Sequence, residues 1–196
     1  MDRTTDRQKT DLLTKLGFLY LEKMGCFEIS TEVGVASWAV RDFKIEADQH
    51  FHVDVLGIEW EYLPPSKQYT DEANHRIIKK PLLRGIEIKV SRSDFRNGFV
   101  HCGCHYNYLM VPKGLVELSE VHQSVGIMEV DLDQAVVNLP KNRWHKYTIS
   151  GIELVRNAKR QDVPEFAINH AWSQMSENLT NQTKRWLIAE LSKELS

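Results

Sequence analysis

The chain has 196 residues, 42% hydrophobic and 27% charged, with a formal net charge of -2. That length fits one domain with a sizeable core, and that balance excludes a disordered, collagen-like or mucin-like chain. The near-neutral total means that any attraction to nucleic acid has to come from a local basic patch. The opening run Met1-Asp2-Arg3-Thr4-Thr5-Asp6-Arg7 is too polar for a secretory signal, and no apolar run approaches the ~18 residues of a membrane span. Cys26, Cys102 and Cys104 are too few and too odd in number for a disulfide framework. These features predict a cytoplasmic protein without a membrane partner.

From Asp11 to Met24 the apolar residues Leu12, Leu13, Leu16, Leu19, Tyr20 and Met24 recur at helical spacing, and Gly25 stands where a helix stop belongs. A short strand is expected from Ile29 to Val35. A second, rich in β-formers, is expected from Phe51 to Ile58. Glu61 to Pro81 holds Pro64-Pro65 and the cations Lys67, Arg76, Lys79 and Lys80, and reads as a long excursion between strands. Arg84 to Val90 alternates cleanly, with Ile86, Ile88 and Val90 on one face and Glu87 and Lys89 on the other. Ser91 or Ser93 is a candidate cap for a helix that follows. Tyr106 to Val111, Val125 to Val130 and Gly151 to Val155 are further strand candidates, and Pro112-Lys113-Gly114 is a turn. From about 164 to 196 the apolar positions Trp172, Met175, Leu179, Trp186, Leu187 and Leu191 predict a helical extension. The order implies a single α/β domain over 1–196, with one central sheet and an insertion at about 61–81.

Glu87 and Lys89 are two apart on a strand, so an acid and a base project together. If the strand carrying Asp54 is a neighbour, the carboxylates of Asp54 and Glu87 can converge on one hard cation such as Mg²⁺ or Mn²⁺, which takes oxygen ligands and keeps several waters. Lys89 then stands where it can orient or deprotonate a water, or stabilise charge on a phosphorane. An isolated Glu-x-Lys is by itself more often a surface ion pair.

The surrounding residues add to this. Gly85-Ile86-Glu87-Ile88-Lys89-Val90-Ser91-Arg92-Ser93-Asp94-Phe95 resembles the signature of the MmcB-like DNA-repair family, a branch of the PD-(D/E)XK nuclease superfamily, in which a strand ending in Glu-x-Lys runs into a Ser-Arg-x-Asp-Phe helix start. The resemblance extends to Thr31-Glu32-Val33, to Val53-Asp54-Val55-Leu56, to Cys104 and Tyr108-Leu109-Met110-Val111-Pro112, and to the run from Gly151 to Arg160, covering about residues 12 to 160. It implies a restriction-endonuclease-like fold, a central mixed β-sheet flanked by helices. It implies metal-dependent hydrolysis of DNA in repair or recombination, with Asp54 and Glu87 as metal ligands and Lys89 as the catalytic lysine. Ser91, Arg92 and Asp94 would then shape the site or touch phosphates. The chain departs from the family in the 61–81 insertion and after Phe95, where Arg96-Asn97-Gly98-Phe99 leads into His101-Cys102-Gly103-Cys104-His105.

Glu32, inside the matched Thr-Glu-Val, is an additional site candidate; Glu22, away from the apolar stripe of its helix, reads as solvated. The His-Cys-x-Cys-His run invites zinc, but its members are too close together to surround one ion, and no second pair stands at finger spacing. Ordinary packing is expected there. Arg76, Lys79 and Lys80 are candidate contacts to a phosphate backbone, whereas Lys184, Arg185 and Trp186 fit an amphipathic helix. DNA is the expected partner and RNA the alternative polynucleotide. The sequence does not set the oligomeric state and is compatible with a homodimer. Two rival readings stand beside the nuclease: an inactive nuclease-fold module that binds nucleic acid or a partner protein, and a structural protein whose Glu-x-Lys is only an ion pair. The last predicts Asp54 far from Glu87.

Overall fold

The structure, a computed structural model, describes residues 5–41, 44–99, 103–138 and 147–178; for 36–41, 44–50 and 177–178 it describes the backbone alone. The first helix, α1 (Asp6–Lys23), starts six residues before its apolar stripe, which begins at Leu12. Its start is set by a capping box: the Thr5 hydroxyl accepts from the Gln8 amide, and the Gln8 side chain accepts from the Thr5 amide. The chain leaves it through Gly25 at φ 101, a backbone that glycine adopts without strain.

Two long strands follow, β1 (Glu28–Arg41) and β2 (Lys44–Tyr62), paired antiparallel from Glu28 opposite Ile58 to Arg41 opposite Lys44. Both outrun the strands expected from sequence, because a hairpin extends wherever two backbones satisfy each other's hydrogen bonds, with or without apolar alternation. The excursion contains a 3₁₀ turn (Pro65–Lys67) and a small ribbon of β3 (Tyr69–Thr70) and β4 (Arg76–Ile77). Its two ends are sheet: Glu61 and Tyr62 of β2 pair with Lys80 and Lys79 of β5 (Lys79–Ile88).

The short helix α2 (Arg92–Arg96) is capped by Ser91, whose hydroxyl accepts from the Asp94 amide. Then come β6 (Tyr106–Pro112), β7 (Gly126–Val130), β8 (Val136–Asn138), β9 (Thr148–Ser150), β10 (Ile152–Arg156) and α3 (Glu165–Asn178). Strands β8 and β9 form a separate two-stranded sheet that the sequence reading missed, since three residues are too few to show a period. The expected C-terminal helix is present to Asn178; Leu179, Lys184, Arg185, Trp186, Leu187 and Leu191 lie outside the described residues.

The main sheet has six strands in the order β1-β2-β5-β6-β7-β10, with the β5–β6 and β6–β7 pairs parallel and the rest antiparallel. The fold is therefore α/β around a central mixed sheet. Helix α1 covers one face, packing Leu13, Leu16 and Leu19 with Val55, Ile86, Ile88, Met110 and Met128. Gly17 lets it approach closely, since a Cβ there would already touch Val55 at 3.4 Å and Ile86 at 3.5 Å. On the other face, Ala171 and Met175 of α3 pack with Val33, Leu56, Ile58, Leu83 and Cys104. Leu109, Val111, Val116, Val125 and Ile127 form a third cluster. No described helix is long and apolar enough to cross a membrane.

Candidate active site

Alternation along β5 assigns the site its face. Ile86 and Ile88 enter the core beneath α1, so Glu87 projects from the opposite face, the one that carries Leu83 and α3. The strand stays regular to its end because the Lys89 amide donates to the Met110 carbonyl of β6. Glu87 is nearly buried, at 9% exposure.

The ladders around Asp54 are interrupted. The β2–β5 pairing ends with Val55 opposite Ile86, and Asp54 is the next residue of β2. The Ile88 amide donates to Asp54 Oδ2 at 2.6 Å, which locks Asp54 to the residue after Glu87. On the other flank, Thr31 pairs with Val55 and Val33 with Val53, and Glu32 lies between these two pairs on β1.

Glu32 has φ 53 and leaves the ladder at that step. A non-glycine residue in this left-handed region carries strain of about 1–3 kcal/mol, a condition that gathers at functional sites. Its charge is felt at Asp54. Burial pushes the Asp54 carboxyl up, the Ile88 amide pulls it down, and the charges of Glu32 and Asp94 add to the rise against the opposing effect of Lys89.

Lys89 completes the group. Its Nζ lies 3.4 Å from Glu87 Oε1 and 3.3 Å from Asp94 Oδ1, and its side chain is 12% exposed. Asp94 reaches it from the first turn of α2, the helix that Ser91 caps; Ser91 and Ser93 also join their hydroxyls at 3.0 Å. Lys89 therefore joins Glu87 to Asp94, Asp54 feels the charges of Glu32, Lys89 and Asp94, and Ser91 caps the helix that carries Asp94.

Arg92 is directed elsewhere. Its guanidinium holds Glu120 in a two-bond fork at 2.7 and 2.6 Å and the Leu115 carbonyl at 2.9 Å. It ties α2 to the loop before β7. Glu22 meets the Tyr147 hydroxyl and stands apart from the site.

Of the His-Cys-x-Cys-His run, Cys104 and His105 are buried; His101 and Cys102 lie outside the described residues. His105 Nδ1 accepts the Leu83 amide at 3.0 Å, a packing role. Arg76, Lys79 and Lys80 lie at the other end of β5, beside a cavity of about 660 Å³. Lys80 is seven residues from Glu87, or about 23 Å at roughly 3.3 Å per strand residue. The aromatic side chains of that cavity, Trp60, Tyr69 and Trp172, were not singled out from sequence as a group, because they come from three separate elements.

The donor set at Asp54 and Glu87 is all hard oxygen, with Asp54 Oδ1 not used by the Ile88 amide. Burial and the negative charges of Glu32 and Asp94 both disfavour a bare Asp54 carboxylate, which a bound cation would relieve. Both features fit Mg²⁺ or Mn²⁺, which bind through one or two carboxylates and keep waters. Among the described residues, no three His, Cys, Asp or Glu side chains are close enough to enclose an ion by themselves.

No family model matches the chain, and no curated protein matches it. A solved structure of a protein of unknown function from Silicibacter pomeroyi is similar, at 16% identity over 93% of this chain and 90% of that one, with a TM-score of 0.44. At that level of likeness no activity carries over.

Proposed function

We propose that the chain is a metal-dependent nuclease of restriction-endonuclease-like fold, similar to the MmcB-like branch of the PD-(D/E)XK superfamily, that hydrolyses phosphodiester bonds in DNA in repair or recombination. The observation that carries this reading is that the Ile88 amide holds Asp54 beside the end of the strand on which Lys89 Nζ lies 3.4 Å from Glu87. The isolated ion-pair reading predicts Asp54 far from Glu87, whereas Asp54 is bonded to the residue that follows Glu87.

Asp54 and Glu87 would hold a divalent cation, which when bound supplies polarisation of the phosphoryl oxygen and acidification of a water. Glu87 and Asp94 orient Lys89, so that its ammonium donates hydrogen bonds towards an attacking water or towards charge growing on the phosphoryl oxygens. Ser91 fixes Asp94, and with it the second anchor of Lys89.

The rival reading, an inactive module that binds nucleic acid or a partner protein, draws support from the same pairs. A lysine satisfied by Glu87 and Asp94 is also a sound structural lock. Cleavage of labelled single-stranded, nicked and branched DNA in Mg²⁺ or Mn²⁺ separates the two. The nuclease reading expects Glu87→Ala and Lys89→Ala each to lose about 10²–10⁴-fold in rate. Equal rates in wild type and both variants, or no cleavage by the wild type, would leave the binding module.

A further inference from the structure

The cavity at the far end of β5 is not accounted for by phosphodiester hydrolysis at Glu87. Its floor is the end of the β2–β5 ladder, where Trp60 pairs with Pro81. The β3–β4 ribbon supplies Tyr69 and Arg76, and α3 supplies Trp172. Glu61, Asp162 and Glu165 also line it, and the Glu61 backbone pairs across the ladder with that of Lys80. Glu61 is engaged by Arg160 through two bonds, one at 2.8 Å, and the chain beside it is pinned by the Gln161 amide on the His105 carbonyl.

The rings are fixed in advance. Trp60 stacks on Phe27 with centroids 4.9 Å apart and planes 5° apart, and meets Trp172 edge-on at 5.6 Å. Cations stand over two of the rings: Lys79 Nζ is 4.3 Å from the Trp60 centroid, which Phe27 already stacks on, and Lys80 Nζ is 5.7 Å from that of Tyr69. No described carboxylate pairs with Arg76, Lys79 or Lys80. Tyr69 is half exposed, at 51%.

An exposed ring such as Tyr69, beside lysines without an acidic partner, is what a single polynucleotide strand requires: stacking for an unpaired base and charge for the phosphate next to it. A duplex keeps its bases stacked on one another and offers these rings nothing. A volume of about 660 Å³ is that of a site for a drug-sized group, the scale of a nucleotide and far below the girth of a double helix.

We propose that this cavity is a binding site for single-stranded nucleic acid, in which Tyr69 stacks on a base and Arg76, Lys79 and Lys80 track the phosphates. The site rests on its own residues. It holds whether or not Glu87 and Lys89 carry out hydrolysis.

The test is binding of a fluorescently labelled oligothymidylate of about twelve nucleotides, within the span such grooves take, by the full chain in excess chelator, so that nothing is cleaved. Tyr69→Ala is expected to weaken binding about tenfold, and Tyr69→Phe, which keeps the ring, to restore it. The combined Arg76→Gln, Lys79→Gln, Lys80→Gln variant should flatten the slope of log affinity against log salt by about 2, at roughly 0.7 per phosphate contact on a single strand. A duplex of the same length should bind more weakly and ignore Tyr69→Ala. Wild-type affinity in both variants, or an equal loss for single strand and duplex on Tyr69→Ala, would overturn the proposal. The chelator removes the metal that cleavage needs, so the binding readout does not depend on hydrolysis. A failure of binding and a failure of cleavage are thereby read separately.

Discussion

The Ile88 amide holds one oxygen of Asp54 in a site that burial and the charges of Glu32 and Asp94 already make unfavourable for an anion. A carboxyl whose value is raised on folding contributes stability that is full below the ordinary carboxylate range and lost as pH rises through the raised value. At neutral pH, ionised Asp54 therefore costs stability. Asp54→Asn keeps an acceptor for the Ile88 amide and removes the charge, so it should melt higher than the wild type at neutral pH without metal, while cleavage falls on the order of 100-fold or more. Calorimetry and a cleavage assay on one preparation check both halves. His105 titrates in the opposite sense. Its Nδ1 must stay unprotonated to accept the Leu83 amide, and burial, followed by the charge of Arg160, pushes it from 6.5 down to about 4. Its contribution is fully present above pH 6.5 and lost as pH falls towards 4. The urea midpoint should decline across that window, and His105→Asn, which preserves an acceptor at the δ position, should flatten the decline.

Elements show where periodicity informs and where it stops. The apolar stripe of α1 and the alternation of β5 were both legible, because each repeats over enough residues to display its period. The start of α1 depended instead on a capping box with no apolar member. The extra length of β1 and β2 came from mutual hydrogen bonding. Gly17 lies in the middle of α1, where glycine weakens a helix by about 1 kcal/mol relative to alanine, and its reason is the contact with Val55 and Ile86. Gly17→Ala should be close to neutral, the propensity gain offsetting a tight contact. Gly17→Leu should destabilise by about 1–3 kcal/mol through overpacking. Urea denaturation of both variants is the measurement. The expectation that Arg92 touches phosphate met a different outcome, since its partner Glu120 stands 28 residues downstream and no local pattern announces such a pair.

For the whole molecule, a single sheet places two chemically different regions at the two ends of β5. Glu87 and Lys89 are at one end, and the aromatic and basic cavity is at the other, about 23 Å away by strand length. Sites this far apart with no shared partner are expected to behave independently under substitution. Combining Glu87→Ala with Tyr69→Ala should therefore lose cleavage to the extent of the first and single-strand affinity to the extent of the second. A double variant whose binding loss departs by more than about twofold from that of Tyr69→Ala alone would show coupling across the sheet.

The sequence by itself determined the class of fold, the strand on which Glu87 and Lys89 project together, and the helix start that Ser91 or Ser93 caps. These are local properties, written in periods of two and 3.6 and in the chemistry of single residues. Only the tertiary structure decided that Glu32 leaves the ladder and acts by its charge on Asp54, that Arg92 is held by Glu120, and that Trp60, Tyr69 and Trp172 line one cavity. Those outcomes depend on strand register and on which loops meet, and register is fixed by pairing between segments far apart in the chain rather than by any one of them.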